Sequence, residues 1–426
     1  MKTRRDFVKG AAGAIMAPGL ANAAAKNTRI RNSGVTRARA QAVHDTALIF
    51  DGHNDVPVER VHRGEMTFGW KQRDPAYHTD IPRMREGGYG GGFFIVGDGP
   101  TANVWVTIEQ VLRQVEALPE DLVLVRSSGD AVRARQSRKI GVLMAIEGAG
   151  RWLDGKLDIL GILYRLGVRS VGITHGEGGP EPNQLQGTRS PYGRCTPEDR
   201  IAGRTKALGL TAFGKQVLKA NNEMGIVTDL AHINDKAFYE VLELSSRPSF
   251  MSHSGVFALS HHWRCLTDDQ IKALAGAGGV VGIAFAPEFI HADPRMATID
   301  RLVEHICYVA DLVGIDYVGV GTDFDGLGET IPVVPDVSQL VRLTQAMLAQ
   351  GLTEEEIRKV WGGNVLRLLE KNIDRPGRSG LKVSSVCPAV GAGRKPEVNT
   401  VVTERLRNGS VERGIEHRDL WHRFSA

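Results

Sequence analysis

Short apolar runs bounded by glycine or polar residues alternate along most of this chain with longer stretches whose apolar residues recur every three to four positions. The first pattern predicts buried β-strands and the second predicts amphipathic helices. Strand-like runs fall at Ala47–Asp51, Gly92–Val96, Gly141–Ile146 and Arg169–Ile173, then at Ile226–Leu230, Pro248–Ser252, Gly279–Phe285 and Tyr317–Gly321. Helical period holds over Trp105–Ala117, Ala212–Met224, Thr267–Ala277, Ile299–Val313 and Val337–Ala349, with Thr211 and Thr267 placed as N-caps. Eight strands in regular alternation with helices predict an α/β fold, a (β/α)8 barrel of TIM type, in preference to an open doubly wound sheet. No glycine-rich dinucleotide or phosphate loop follows any strand. The run Gly87-Gly88-Tyr89-Gly90-Gly91-Gly92 precedes one, and reads as a turn.

The alternation covers residues 45–373, the predicted barrel domain, and breaks elsewhere. Gly176 to Arg204 is long, polar and rich in glycine and proline, and predicts an elaborated loop after the fourth strand. Residues 374–426 read as a C-terminal arm, and residues 24–44 as a linker. At the start, Thr3-Arg4-Arg5-Asp6-Phe7-Val8-Lys9 leads into an apolar stretch, Gly10 to Leu20, and then Ala21-Asn22-Ala23. That order is the pattern of a twin-arginine-type signal peptide over residues 1–23, cleaved after Ala23, with a periplasmic destination. The apolar stretch is too short to span a bilayer and is broken by Pro18 and Gly19. With no cysteine directly following the cleavage site and a polar tail beyond Arg405, no stable membrane anchor is expected.

Composition changes this picture little. The chain has 426 residues, 42% of them hydrophobic, which is enough for one large core. Its formal net charge is +4, of which +3 sits in residues 1–23. A mature domain so near neutrality gives no reason to expect nucleic acid or an anionic membrane as partner. The four cysteines, Cys195, Cys265, Cys307 and Cys387, lack metal-site spacing. An oxidising compartment permits disulfides among them, with the pairing open; Cys307 reads as a small buried hydrophobe.

A barrel enzyme draws its site from the C-terminal ends of its strands. Here six of the eight predicted strands finish on titratable or ligand-type residues: Asp51-Gly52-His53-Asn54-Asp55, Glu147, Thr174-His175, Asp229-Leu230-Ala231-His232, Ser252-His253-Ser254 and Gly321-Thr322-Asp323-Phe324-Asp325-Gly326. His53 and Asp55 are two apart, a spacing that on extended chain puts both side chains on one face. Imidazole and carboxylate together suit a divalent metal of zinc type. Singly each residue is commonplace; a barrel mouth makes them converge. His62, His78, His261, His262, His291, His305, His417 and His422 read as solvated or structural. Asp98, in a Gly-Asp-Gly-Pro turn, reads as a turn residue.

These strand ends, with Thr79-Asp80-Ile81-Pro82-Arg83, Gly209-Leu210-Thr211-Ala212-Phe213-Gly214 and Gly362-Gly363-Asn364, resemble the membrane (renal-type) dipeptidases, metallopeptidases among the amidohydrolase-like barrels. The resemblance runs over roughly residues 45–372. It implies two zinc ions, one held by His53 and Asp55, the other by His232 and His253, with Glu147 bridging. It implies hydrolysis of free dipeptides, D-residues at the C-terminal side included, with a metal-bridging hydroxide as nucleophile. Asp323 would shuttle the proton to the leaving amine, His175 would steady the oxyanion, and Arg264 would grip the dipeptide's carboxylate. A homodimer is compatible with the same resemblance. The alternative reading is another amidohydrolase-type reaction on the same metals, N-acyl amino acid deacylation or lactone opening. Departures from the family pattern are the long segment after His175, Cys265 in place of a common Asn, and Ala231 in place of a common Ser.

Overall fold

The computed structural model of the chain describes Arg29 and residues 31–32, 34–65, 69–98, 101–175, 184–187 and 208–375. The signal-type segment 1–23, the arm after Arg375 and most of the stretch 176–204 lie outside the described residues. Nine parallel strands make one sheet: β1 (Ile49–Asn54), β2 (Tyr89–Gly97), β3 (Leu122–Leu124), β4 (Ile140–Ile146), β5 (Val168–Gly172), β6 (Val227–Asp229), β7 (Phe250–Ser254), β8 (Val280–Ile283) and β9 (Val318–Val320). Their order is β1-β2-β4-β5-β6-β7-β8-β9, with the short β3 pairing β4 off this path. An isolated parallel bridge between Asn54 and Phe324 brings the two ends together. The result is a nearly closed barrel of eight parallel strands, the TIM-type architecture that the alternation predicts.

Asp51 shows what holds the closure. Its buried carboxylate accepts from the Thr322 backbone N–H and hydroxyl, both at 2.7 Å, and from the Tyr89 hydroxyl at 3.1 Å. Three chain segments thus meet on one side chain. Burial pushes this carboxyl up to about 6 despite those hydrogen bonds.

The strands sort their residues with period two. Phe93 and Ile95 of β2, Leu143 and Ala145 of β4, Val227, Phe250 and Val280 form one apolar cluster, joined by Val365, Leu368 and Leu369 of helix Asn364–Asn372. Phe94 and Val96, and Val142, Met144 and Ile146, belong instead to the larger cluster made with the surrounding helices. Both faces of each strand are therefore buried, which is why the strands read as near-continuous apolar runs. Close approach also demands glycine: a Cβ at Gly282 or Gly321 would collide with the Ser252 carbonyl.

Both expected N-caps are present. Thr211 accepts from Gly214 N–H, and Thr267 forms a capping box with Gln270. The stretch 24–44 differs from expectation, because helix Arg37–Thr46 begins inside it and buries Ala40, Val43 and His44. His44 is bonded at both ring nitrogens, to Thr344 Oγ1 and to the Gly87 carbonyl. Its polar outer face hid the helix in the sequence. The glycine run likewise contributes its last four residues, Tyr89 to Gly92, to β2 instead of ending in a turn. Of the loop after β5, the described residues 184–187 are anchored by buried Leu185 and a bridge from Gln186 to Leu210. Cys307 is only partly buried; Cys195 and Cys387 lie outside the described residues. No described helix is long and apolar enough to cross a membrane.

Candidate metal centre

At the C-terminal ends of the strands, side chains from five other segments gather around Glu147. Its Oε1 lies 2.9 Å from His232 Nε2, 3.5 Å from His253 Nε2 and 3.7 Å from His53 Nε2. His53 Nε2 is also 3.2 Å from Asp55 Oδ2 and 4.0 Å from Asp323 Oδ1. His175 Nε2 is 3.8 Å from Glu147 Oε2. All seven expected metal and catalytic residues are thus brought into one cluster.

Local backbone accounts for the aim of these side chains. His53 and Asp55 do not meet by strand alternation: β1 is bulged between Asp51 and Asn54, and Asp55 has left the strand to start helix Val56–His62. A bulge at the end of β7, between Met251 and Ser254, contains His253. Bulges re-aim side chains at barrel rims. His232 and Asp323 are turned inward by left-handed backbone, φ 64° and 62°. Gly326 leaves room beside them, since a Cβ there would collide with Asp55 Oδ2.

The electrostatics are those of a site built around cations. Glu147 and Asp323 are each pushed up to about 7, chiefly by burial, with Asp55 adding repulsion. Burial alone would lower His53, but Asp55 and Glu147 hold it well above its ordinary value. His232 and His253 go the other way, driven well down by burial and then by neighbouring positive groups. Three buried atoms, His53 Nε2, Asp55 Oδ2 and Glu147 Oε1, have no hydrogen-bond partner. Buried polar atoms without partners are costly unless an ion satisfies them. Among the described residues, three overlapping groups could each hold a metal: His53, Glu147 and His253; Glu147, His175 and His232; and His53, Asp55 and Asp323. The donor set, imidazole nitrogens and carboxylate oxygens around a shared glutamate, fits divalent metal of zinc type.

Arg264 lies at the same cluster, its Nη2 2.7 Å from His253 Nε2 and its guanidinium 5.3 Å from the Phe289 ring centre. A guanidinium is donor only, so it and a cation compete for that nitrogen's lone pair. Sequence reasoning passed over Asp98. Its Oδ1 is 2.7 Å from His175 Nδ1, and Arg151 is 4.0 Å away. Burial lowers His175, yet Glu147 and Asp98 outweigh it and push this imidazole up to about 9. Asp98 immediately follows β2, so the strand-end rule itself would have included it.

The profile of the membrane dipeptidase family (peptidase family M19) matches residues 37–376. Dipeptidase tcpJ of Claviceps purpurea (strain 20.1) is 29% identical over 341 residues, which is 75% of this chain and 76% of that protein. The solved structure of dipeptidase AC, a metallopeptidase of family M19, is similar with a TM-score of 0.67 at 28% identity, covering 77% of this chain and 99% of that one. A metallopeptidase from Rhodobacter sphaeroides, solved with a phosphinate mimic of the dipeptide L-Ala-D-Ala, is 27% identical with the same TM-score and the same coverage, 77% and 99%.

Proposed function

The chain belongs to the membrane dipeptidase family of metallopeptidases, and on that premise we propose that its centre binds two zinc ions and hydrolyses free dipeptides, including those ending in a D-residue. The observation that carries this reading is that three buried atoms without hydrogen-bond partners meet around His53 at the barrel mouth, its Nε2 lying 3.2 Å from Asp55 Oδ2 and 3.7 Å from Glu147 Oε1. His53 and Asp55 serve one zinc, His232 and His253 the other, and Glu147 lies between the two sets. When bound, the zinc pair supplies a water made acidic enough to attack at neutral pH and polarises the scissile carbonyl.

The protein's own groups do the rest. Asp323, buried beside His53, takes a proton from the attacking water and passes it to the departing amine. Its carboxyl, pushed up to about 7, is poised to hold a proton at neutral pH. His175, backed by Asp98, donates through Nε2 to the oxygen that becomes negative as the carbonyl turns tetrahedral. Arg264 binds the free carboxylate. Tolerance of a terminal D-residue follows from gripping that carboxylate and the amide more than the second side chain. The similarity to a peptidase solved with a mimic of L-Ala-D-Ala supports this part.

The test is release of amino acids from a panel of L,L- and L,D-dipeptides, before and after chelation and with zinc restored, alongside metal analysis. Hydrolysis should vanish with the metal and return with zinc at two ions per chain. Full activity after chelation, or none in the zinc-loaded chain, sinks the proposal. Arg264→Ala should raise the KM for dipeptides about tenfold or more, the worth of a hydrogen bond to a charged group. An unchanged KM would favour substrates without a free carboxylate, such as lactones. We further propose that residues 1–23 direct export to the periplasm.

A further inference from the structure

Ser252 precedes His253 on β7 and has no part in the chemistry described so far. Its buried hydroxyl lies 2.9 Å from Nδ1 of His253, 3.3 Å from Nδ1 of His53 and 2.5 Å from Oδ2 of Asp229. The Asp229 carboxylate is itself held, its Oδ1 accepting from the backbone N–H groups of Ala231 and Ser252 at 3.0 Å each.

A hydroxyl has one proton and two lone pairs. An ionised Asp229 can only accept, so the Ser252 proton goes to Oδ2, and the two lone pairs remain for the imidazoles. Both rings must then carry their proton on Nδ1 and turn a bare Nε2 toward the cluster. An independent contact agrees for His253: Arg264 Nη2, a donor, is 2.7 Å from its Nε2, which therefore accepts.

We infer that Ser252 is a shared positioning residue: one hydroxyl, oriented by Asp229, fixes the tautomer of a histidine in each of the two metal positions. Outer hydrogen bonds of this kind set ring orientation and raise ligand basicity. A single serine serving both positions makes their affinities fall together when it is lost. The inference rests on the two-zinc reading.

The test is zinc retention by the full chain dialysed against a graded series of chelator concentrations, in wild type, Ser252→Ala and the isosteric Asp229→Asn. Circular dichroism of the zinc-loaded variants verifies folding. Ser252→Ala should weaken both ions about ten- to a hundredfold, and Asp229→Asn should weaken both in the same direction. If both variants fold and release zinc at the wild-type midpoint, the inference is overturned. It is equally overturned if Ser252→Ala retains one ion at wild-type affinity, because the sharing is then absent. A wild-type chain that holds fewer than two zinc ions fails the two-zinc reading itself, and that outcome is scored on wild type alone.

Discussion

Asp323 combines three unfavourable features in one residue: left-handed backbone at φ 62°, burial, and a carboxylate neighbour in Asp55. Each costs folding free energy, and such costs persist where the surrounding fold over-determines them. An Asp323→Asn change keeps the shape, tolerates left-handed backbone and removes the buried acid. It should therefore leave stability and zinc content intact while lowering kcat about a hundred- to ten-thousandfold. Loss of zinc in that variant would make Asp323 a ligand instead of a proton carrier. Asp98 calls for a different measurement. Asp98→Asn should lower kcat on the order of ten- to a hundredfold and weaken binding of a phosphinate dipeptide mimic, with KM and zinc content unchanged. Parallel losses in KM and mimic binding would show that His175 orders substrate and not the transition state.

The elements explain why the site is rigid. The bulges at the ends of β1 and β7 are held by Asp51, Asp229 and Ser252, so ligand positions are written into strand geometry instead of loop conformation. Helix Asp268–Gly276, on the barrel's flank, depends on its capping box. Thr267→Ala should cost about 1 kcal/mol in denaturant unfolding and leave KM unchanged. Helix Ile299–Val313 is tied to the loop after β7 by His305, whose Nδ1 accepts from Val256 N–H at 3.0 Å and whose Nε2 donates to the Ile290 carbonyl. Burial lowers His305 to about 4. The unfolded chain takes up that proton near pH 6.5 and the folded chain only near 4, so stability drains away as pH falls between these values. Comparing His305→Gln with wild type isolates this contribution. The variant should be less stable at pH 7 and lose less on acidification, by up to about 3 kcal/mol over the window.

At the scale of the molecule, the proposed export adds a constraint: a metal-loaded barrel would cross the membrane already folded. Replacing Arg4 and Arg5 by lysine should leave dipeptidase activity in the cytoplasm and deplete the periplasmic fraction. Unaltered periplasmic activity would refute the twin-arginine assignment.

The barrel was legible because strands buried on both faces are apolar throughout and the helices between them are not. Helix Ala212–Met224 and helix Ile299–Val313 have the bounds the period predicts, since their caps are local. The three-residue β3 and the helix Arg37–Thr46 escaped notice, one too short to show a period and the other with most of its surface polar. Ligand types at strand ends were equally legible, because fold topology alone gathers them. What the chain order could not disclose were contacts between residues far apart along it. Asp98 finds His175 77 positions away, and Ser252 finds His53 at a separation of 199. So the sequence by itself determined the architecture and the inventory of donors, through patterns that repeat locally. Only the tertiary structure decided which proton each histidine carries and which carboxylate stands behind it, because hydrogen bonds depend on ångström distances between strands that share no local pattern.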